Sequence, residues 1–296
     1  MKIPSIKDVE ANLRNCLLLK ADDLYFTLAE PEGERLRNEF LGIEVIGLAD
    51  ENVSEQDIAA IDLERFAIAG RIRDLHKMLE ERKLSLDDLH LPDTEYGRND
   101  CLYFLEHFLS TLPNVALGGL DLTGAAYGET RQIYALSSAW LNLIETIEEA
   151  FYGATDSPVA VNHLALLSGL DERTLRNRCG PKKIIRTTTS RVRRSLKSGS
   201  HAFVSLNSLD VMDWLKSRKD FEIASIEPAW IDQRLAHATP EQVTRGLLIT
   251  SIVNLGSLSS FAPTHGFTPE LARNWFDRGE TLPPSIKLSL TERLGI

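Results

Sequence analysis

Residues 159–180 read VAVNHLALLSGLDERTLRNRCG, and the order of small, apolar and charged residues here decides the fold of the C-terminal half. Ala165 lies where two helices cross, because only a small side chain lets the backbones approach. Gly169, four residues later, suits a tight turn, since glycine reaches positive φ without a Cβ clash. Leu164, Leu167 and Leu170 face inward, Asp171 caps a second helix, and Leu175 packs back on the first. Glu172, Arg173, Thr174, Arg176 and Asn177 are left outside. In such a helix-turn-helix the start of the second helix enters the major groove of a duplex, where arginine reads guanine and asparagine reads adenine.

The flanks extend this reading. Ser157-Pro158 supplies a capping hydroxyl and a proline at the first helical position, where a missing N–H costs nothing. The device recurs at Thr239-Pro240-Glu241-Gln242, where Gln242 completes a capping box, and at Thr268-Pro269-Glu270. Downstream, Ile184-Ile185-Arg186 and Ala202–Leu206 read as two short strands around a basic hairpin, and Asn207 or Ser208 opens the helix SLDVMDWLKSRK with Trp214. Helix, turn, helix, wing and closing helix together resemble the winged modules of MerR-type regulators and phage excisionases. The insert from Thr187 to Ser200 is longer than that family carries. The resemblance implies that Arg173, Arg176 and Asn177 face bases, with Thr174 beside them. It also implies that Arg191, Arg193, Arg194 and Lys197 face phosphates or the minor groove. Lys182, Lys183 and Arg186 complete the basic cluster. The competing reading is a helical hairpin that packs protein and carries a solvated basic face.

Charge favours the duplex. The net charge of −10 argues against nucleic acid, since duplex affinity rests largely on neutralising phosphates. Its distribution reverses that impression. Residues 1–156 hold 14 Lys+Arg against 30 Asp+Glu, and residues 157–296 hold 19 against 13. Within 171–201 alone, ten basic residues face Asp171 and Glu172. Screening confines what a phosphate feels to about 8 Å at physiological salt, so the local patch outweighs the total.

A second module follows. Residues 254–296 read NLGSLSSFAPTHGFTPELARNWFDRGETLPPSIKLSLTERLGI, where Ala262 and Gly266 repeat the offset of Ala165 and Gly169. Thr268-Pro269 starts a recognition-like helix with Ala272 and Trp275 inward, Gly279 stops it, and Ile286, Leu290 and Leu294 mark a final helix. From Pro240 onward this resembles the lambda-repressor-like (Cro/C1, XRE) helix-turn-helix domains. If it binds DNA, Thr268, Arg273 and Asn274 meet the duplex and Arg278 reaches a phosphate. Residues 239–296 hold five basic and five acidic side chains, so a fold used for dimerisation or partner docking stays open.

The first half reads as helical. Ile58, Ile61, Ala69, Ile72, Leu75 and Leu79 form one stripe, and Leu102, Leu105, Phe108, Leu109 and Leu112 a second, ending before Pro113. Leu136, Trp140, Leu143, Ile144, Ile147 and Phe151 form a third, ending at Gly153. Residues 42–47, Gly-Ile-Glu-Val-Ile-Gly, suit a short strand, and the Gly-rich stretch 118–128 reads as a loop. Cys16, Cys101 and Cys179 are scattered, which argues against a disulfide framework or zinc finger. No apolar run approaches the roughly 20 residues of a membrane span, and no secretory signal opens the chain. A cytoplasmic location is therefore expected.

Catalytic constellations are missing: no HExxH, GxxxxGK[ST], GxSxG or SxxK occurs. His76 with Glu80, and Glu145 with Glu148, read as helix-surface charges rather than metal ligands, and no cofactor is implied. The sequence thus points to a mainly α protein. An acidic helical domain at 1–153 precedes a winged helix-turn-helix at 154–226 and a repressor-like module at 227–296. The expected function is transcription regulation by sequence-specific binding of double-stranded DNA, in the bacterial or phage manner and without enzymatic activity. A homodimer is expected, since palindromic sites call for two-fold proteins, with the acidic domain contacting protein. Two rivals are an antitoxin-like inhibitor or adaptor acting through the acidic domain, and an excisionase-like factor that bends DNA.

Overall fold

The computed structural model describes residues 1–28, 31–46, 53–82, 98–112, 128–192 and 201–296, with side chains left undescribed at 98–99, 188–192 and 201–204. The protein is mainly helical. It divides into two compact units, one drawn from Lys2–Glu80 and Leu89–Ser137, the other from Met1, Glu81–Asp88 and Ser138–Ile296.

The first unit contains α1 (Ile6–Thr27), α2 (Glu32–Leu41), α3 (Glu55–Ala60), α4 (Ala67–Glu81) and α5 (Arg98–Ser110), with the first part of α6 (Gly128–Phe151). Ser5 caps α1 by accepting from the Asp8 amide, and Val9, Leu13, Cys16, Leu17 and Ala21 bury one face of that helix. Ala69, Ile72, Leu75 and Leu79 of α4, and Leu105, Leu109 and Leu112 in and just after α5, are buried as well. Ile58 and Leu79 do not share one helix. Asp62 accepts from the Glu64 amide and opens a 3-10 turn, Leu63–Arg65, which breaks the stripe while burying Ile61 and Leu63. Nor do residues 42–46 form a strand. Gly42 adopts a left-handed φ of 73° and ends α2, and the Asn38 side chain bonds both backbone groups of Val45 in place of a neighbouring strand. The buried Arg37 guanidinium also reaches the Val45 carbonyl, at 2.5 Å. The Gly-rich stretch lies outside the described residues up to Gly128, which begins α6.

The second unit carries the rest of α6, β1 (Asp156–Ser157), α7 (Val161–Ser168), α8 (Glu172–Arg176), β2 (Thr187–Val192), β3 (His201–Asn207) and α9 (Ser208–Lys216). It continues with α10 (Pro228–Leu235), α11 (Pro240–Leu255), α12 (Leu258–Phe261), a 3-10 turn at Ala262–His265, α13 (Pro269–Arg278) and α14 (Pro284–Leu294). The antiparallel sheet has the order β1-β3-β2, with Ser157 opposite Leu206 and the hairpin running from Thr187↔Leu206 to Val192↔His201. The strand expected at Ile184–Arg186 therefore begins three residues later, at Thr187, and runs through polar residues. Ile185 instead forms an isolated bridge with Cys179. Ser157 is likewise no helix cap. It sits in β1, where its Oγ accepts from the Val159 amide, and α7 starts only at Val161.

Every residue of α11 from Thr244 to Val253 is buried, so this helix is the centre of the unit. It is held by the expected Thr239–Gln242 capping box. Gly246 lets the Phe151 ring approach, and that ring packs edge-on against Trp230 at 5.2 Å. Arg245 donates to the carbonyls of Phe276 (2.8 Å) and Asp277 (3.3 Å) in the last turn of α13 and to that of Gly153 after α6. A cation is thereby placed where two helices leave carbonyls unpaired. Among the described residues, no single helix is long and apolar enough to cross a membrane.

Candidate nucleic-acid interface

The turn between α7 and α8 is built as its residues dictate. Gly169 takes φ 68°, and its N–H closes on the Ala165 carbonyl at 2.9 Å. Asp171 then caps α8 twice over, accepting the Thr174 amide at 2.8 Å and the Thr174 hydroxyl at 2.6 Å. Those bonds hold the Asp171 carboxyl below its ordinary range. Leu164, Leu167 and Leu175 are fully buried between the helices, while Leu170 is half-buried. With the inward face occupied, Arg173, Arg176 and Asn177 are exposed, and Thr174 is half-buried and engaged by its cap. Arg176 pairs along the helix with Glu172 at 2.5 Å. An exposed pair of this kind is worth about 0.3–0.5 kcal/mol, which a phosphate or guanine contact easily replaces.

After α8 the chain is clamped into a rigid loop. Gly180 donates to the Ile185 carbonyl (3.0 Å), Ile185 to the Arg178 carbonyl (3.2 Å), and Lys183 to the Gly180 carbonyl (3.1 Å). Ile185 is fully buried, which leaves Arg178, Lys182 and Lys183 exposed around it. Arg178, one of the ten basic residues of 171–201, is exposed beside the loop and joins the candidate contacts. The loop feeds the β2–β3 hairpin. Arg191 lies in β2 opposite Ala202, its side chain undescribed, and Arg193, Arg194 and Lys197 fall outside the described residues.

Two arginines expected at the duplex face inward instead. Arg186 donates its backbone N–H (3.0 Å) and Nε (2.6 Å) to Asp210 and its Nη1 to Asp277. Arg273 donates Nε to Asp210 at 3.0 Å and Nη2 to Asp213 at 2.8 Å. Asp210 has no exposed side-chain surface, so both guanidinium groups satisfy a buried carboxylate of the same unit. Burial pushes the Asp213 carboxyl above its ordinary range, opposed by the Leu258 amide and by Arg273.

On α13, Thr268 is the N-cap and accepts from the Leu271 amide, Asn274 is exposed, and Arg278 pairs with Glu280 at 3.3 Å. Ala272 and Trp275 are buried as expected. The helix before the turn is a single α-turn followed by 3-10 geometry, closed by Gly266 at φ 79°. Outside this region, His76 is buried with its Nε2 on the Pro4 carbonyl at 2.9 Å and its Nδ1 3.4 Å from Glu80. Among the described residues, no three His, Cys, Asp or Glu side chains converge as a metal site.

No protein-family model, curated protein or solved structure matches this chain. The functional reading therefore rests on the geometry and charge of the second unit.

Proposed function

We propose that this chain is a sequence-specific double-stranded DNA-binding regulator of the bacterial or phage kind, with β1, α7, α8 and the β2–β3 hairpin forming a winged helix-turn-helix. The observation that carries the reading is the continuity of its exposed cations. Arg173, Arg176 and Arg178 on and after α8 lead into a clamped loop bearing Lys182 and Lys183, and the sequence at 191–197 adds four further basic residues. Arg176 and Asn177 have the hydrogen-bonding chemistry for base edges, and the loop and hairpin have the charge for phosphates. Arg186 and Arg273 are left out of the contact set, because their donors are engaged internally.

The acidic first half repels phosphate and is assigned to protein contacts, either with a second copy across a palindromic site or with another factor. The repressor-like module at the C-terminus shares the second unit with this surface, and its α13 is not assigned to base reading.

A salt titration of duplex binding tests this reading. The wild-type protein loses affinity steeply as salt rises. The variant Arg178→Ala/Lys182→Ala/Lys183→Ala gives a slope of log K against log salt shallower by about 2.7, at roughly 0.9 per phosphate contact removed. An unchanged slope removes the loop from the interface.

A further inference from the structure

The base of the β2–β3 hairpin is tied to the second helix-turn-helix by a closed set of polar contacts. Arg186 and Asn207 flank that base, and the Asn207 amide donates to the Arg186 carbonyl at 2.9 Å. Both side chains then reach Asp277 on α13: Arg186 through Nη1, and Asn207 through Nδ2 at 3.0 Å. Arg273, one turn earlier on α13, bonds Asp210 and Asp213 on α9. Asn207 also caps α9 by accepting the Asp210 amide at 3.2 Å, and Asp213 accepts the Leu258 amide at 2.7 Å, which anchors the start of α12. The polar residues on one side of α13 are thus engaged by α9 and by the base of the hairpin. The residue that a base-reading α13 most needs, Arg273, is not available to a base.

We infer that the second helix-turn-helix is the brace of the first, and that Asp277 and Arg273 of α13 are positioning residues that set the hairpin against the duplex. This rests on the DNA-binding reading above. It assigns α13 a different job from the one its sequence suggests. A base-reading helix presents its polar face outward, whereas this one turns a matched Arg and Asp, four residues apart, toward α9 and the hairpin base. Such a contiguous network of paired charges transmits position because removing any member strands its partners.

The test exploits the sign of the charge. Asp277 is an acidic group in a unit proposed to bind phosphate, so its removal on electrostatics alone tightens DNA binding. The brace predicts the opposite. With the full chain and a fluorescent duplex, Asp277→Ala weakens binding by roughly two- to thirtyfold, the range for mutations along a coupling network. It also makes the salt slope shallower although no cation has been lost, because the hairpin no longer meets its phosphates. Asp277→Glu recovers most of the affinity, and Asn274→Ala, exposed on the same helix, leaves affinity and sequence preference unchanged. A thermal melt confirms that each variant is folded. If wild type binds the duplex and Asp277→Ala binds as well or better, the brace is refuted while the DNA reading stands. Loss of binding or of base preference in Asn274→Ala also refutes it, by showing that α13 reads DNA. If wild type binds no duplex, both readings fall together.

Discussion

The same substitution, glycine to alanine, is expected to act with opposite sign at two helical positions. At Gly246 in α11 an added Cβ lies 2.6 Å from two carbons of the Phe151 ring and 3.0 Å from a third. The ring is 4% exposed and cannot retreat, since Trp230 meets it edge-on with centroids 5.2 Å apart. Overpacking of this kind costs about 1–3 kcal/mol. Alanine returns about 0.5–1 kcal/mol of helix propensity, so Gly246→Ala is destabilising by up to about 2.5 kcal/mol. Gly70 in α4 has nothing within 4 Å of the corresponding position, and only the propensity gain remains. Gly70→Ala is therefore stabilising by about 0.5–1 kcal/mol. Urea titrations read both. Trp140, Trp214, Trp230 and Trp275 all belong to the second unit, so tryptophan fluorescence follows Gly246→Ala, and far-UV circular dichroism follows Gly70→Ala. Equal signs for the two variants contradict the packing of α11 on Phe151.

Two further outcomes concern the helix-turn-helix. Leu175 is fully buried against α7, and Leu175→Ala lowers the stability of the second unit by about 2–5 kcal/mol, measured as a shift of the fluorescence-detected urea midpoint. A negligible shift means that α8 is not packed as described. Burial holds the His163 imidazole below its ordinary pKa of 6.5, and Asn142 donates to its Nδ1 at 2.8 Å. The unfolded chain therefore takes up a proton that the folded chain resists, so stability is level above pH 6.5 and declines below it. The decline stops once the folded-state imidazole also protonates. His163→Gln flattens this part of the stability profile between pH 7 and pH 5, and an unaltered profile contradicts the assignment.

What local physics decides could be read from the chain. Gly169, Asp171 and Leu175, the Thr239–Gln242 box, the Thr268 cap and the stripe from Leu136 to Phe151 all depend on neighbours within one or two helical turns. They occur as the residues dictate. The failures share a different cause. Arg186 lies within a basic cluster, and only its pairing with Asp210 and Asp277, distant in sequence, shows that its charge is already matched. Arg273 stands at the position of a base-reading side chain, and its partners sit 60 and 63 residues earlier. The polar run TTTSRV of β2 carries no apolar alternation to mark it as a strand, whereas Ile184-Ile185 carries β-propensity without becoming one. In α1 the pattern is blurred by a buried Asn12 and an exposed Phe26, so its 22-residue extent was not evident.

The most direct test of the account is selection from a random-sequence duplex pool, with sequencing, by the full chain and by Arg176→Ala. The account predicts an enriched motif for the wild-type protein and relaxed preference at one of its positions for the variant, at a cost of about 1–3 kcal/mol for the lost base contact. A pool that stays unenriched while binding tightly, or a motif indifferent to Arg176, contradicts sequence reading by α8.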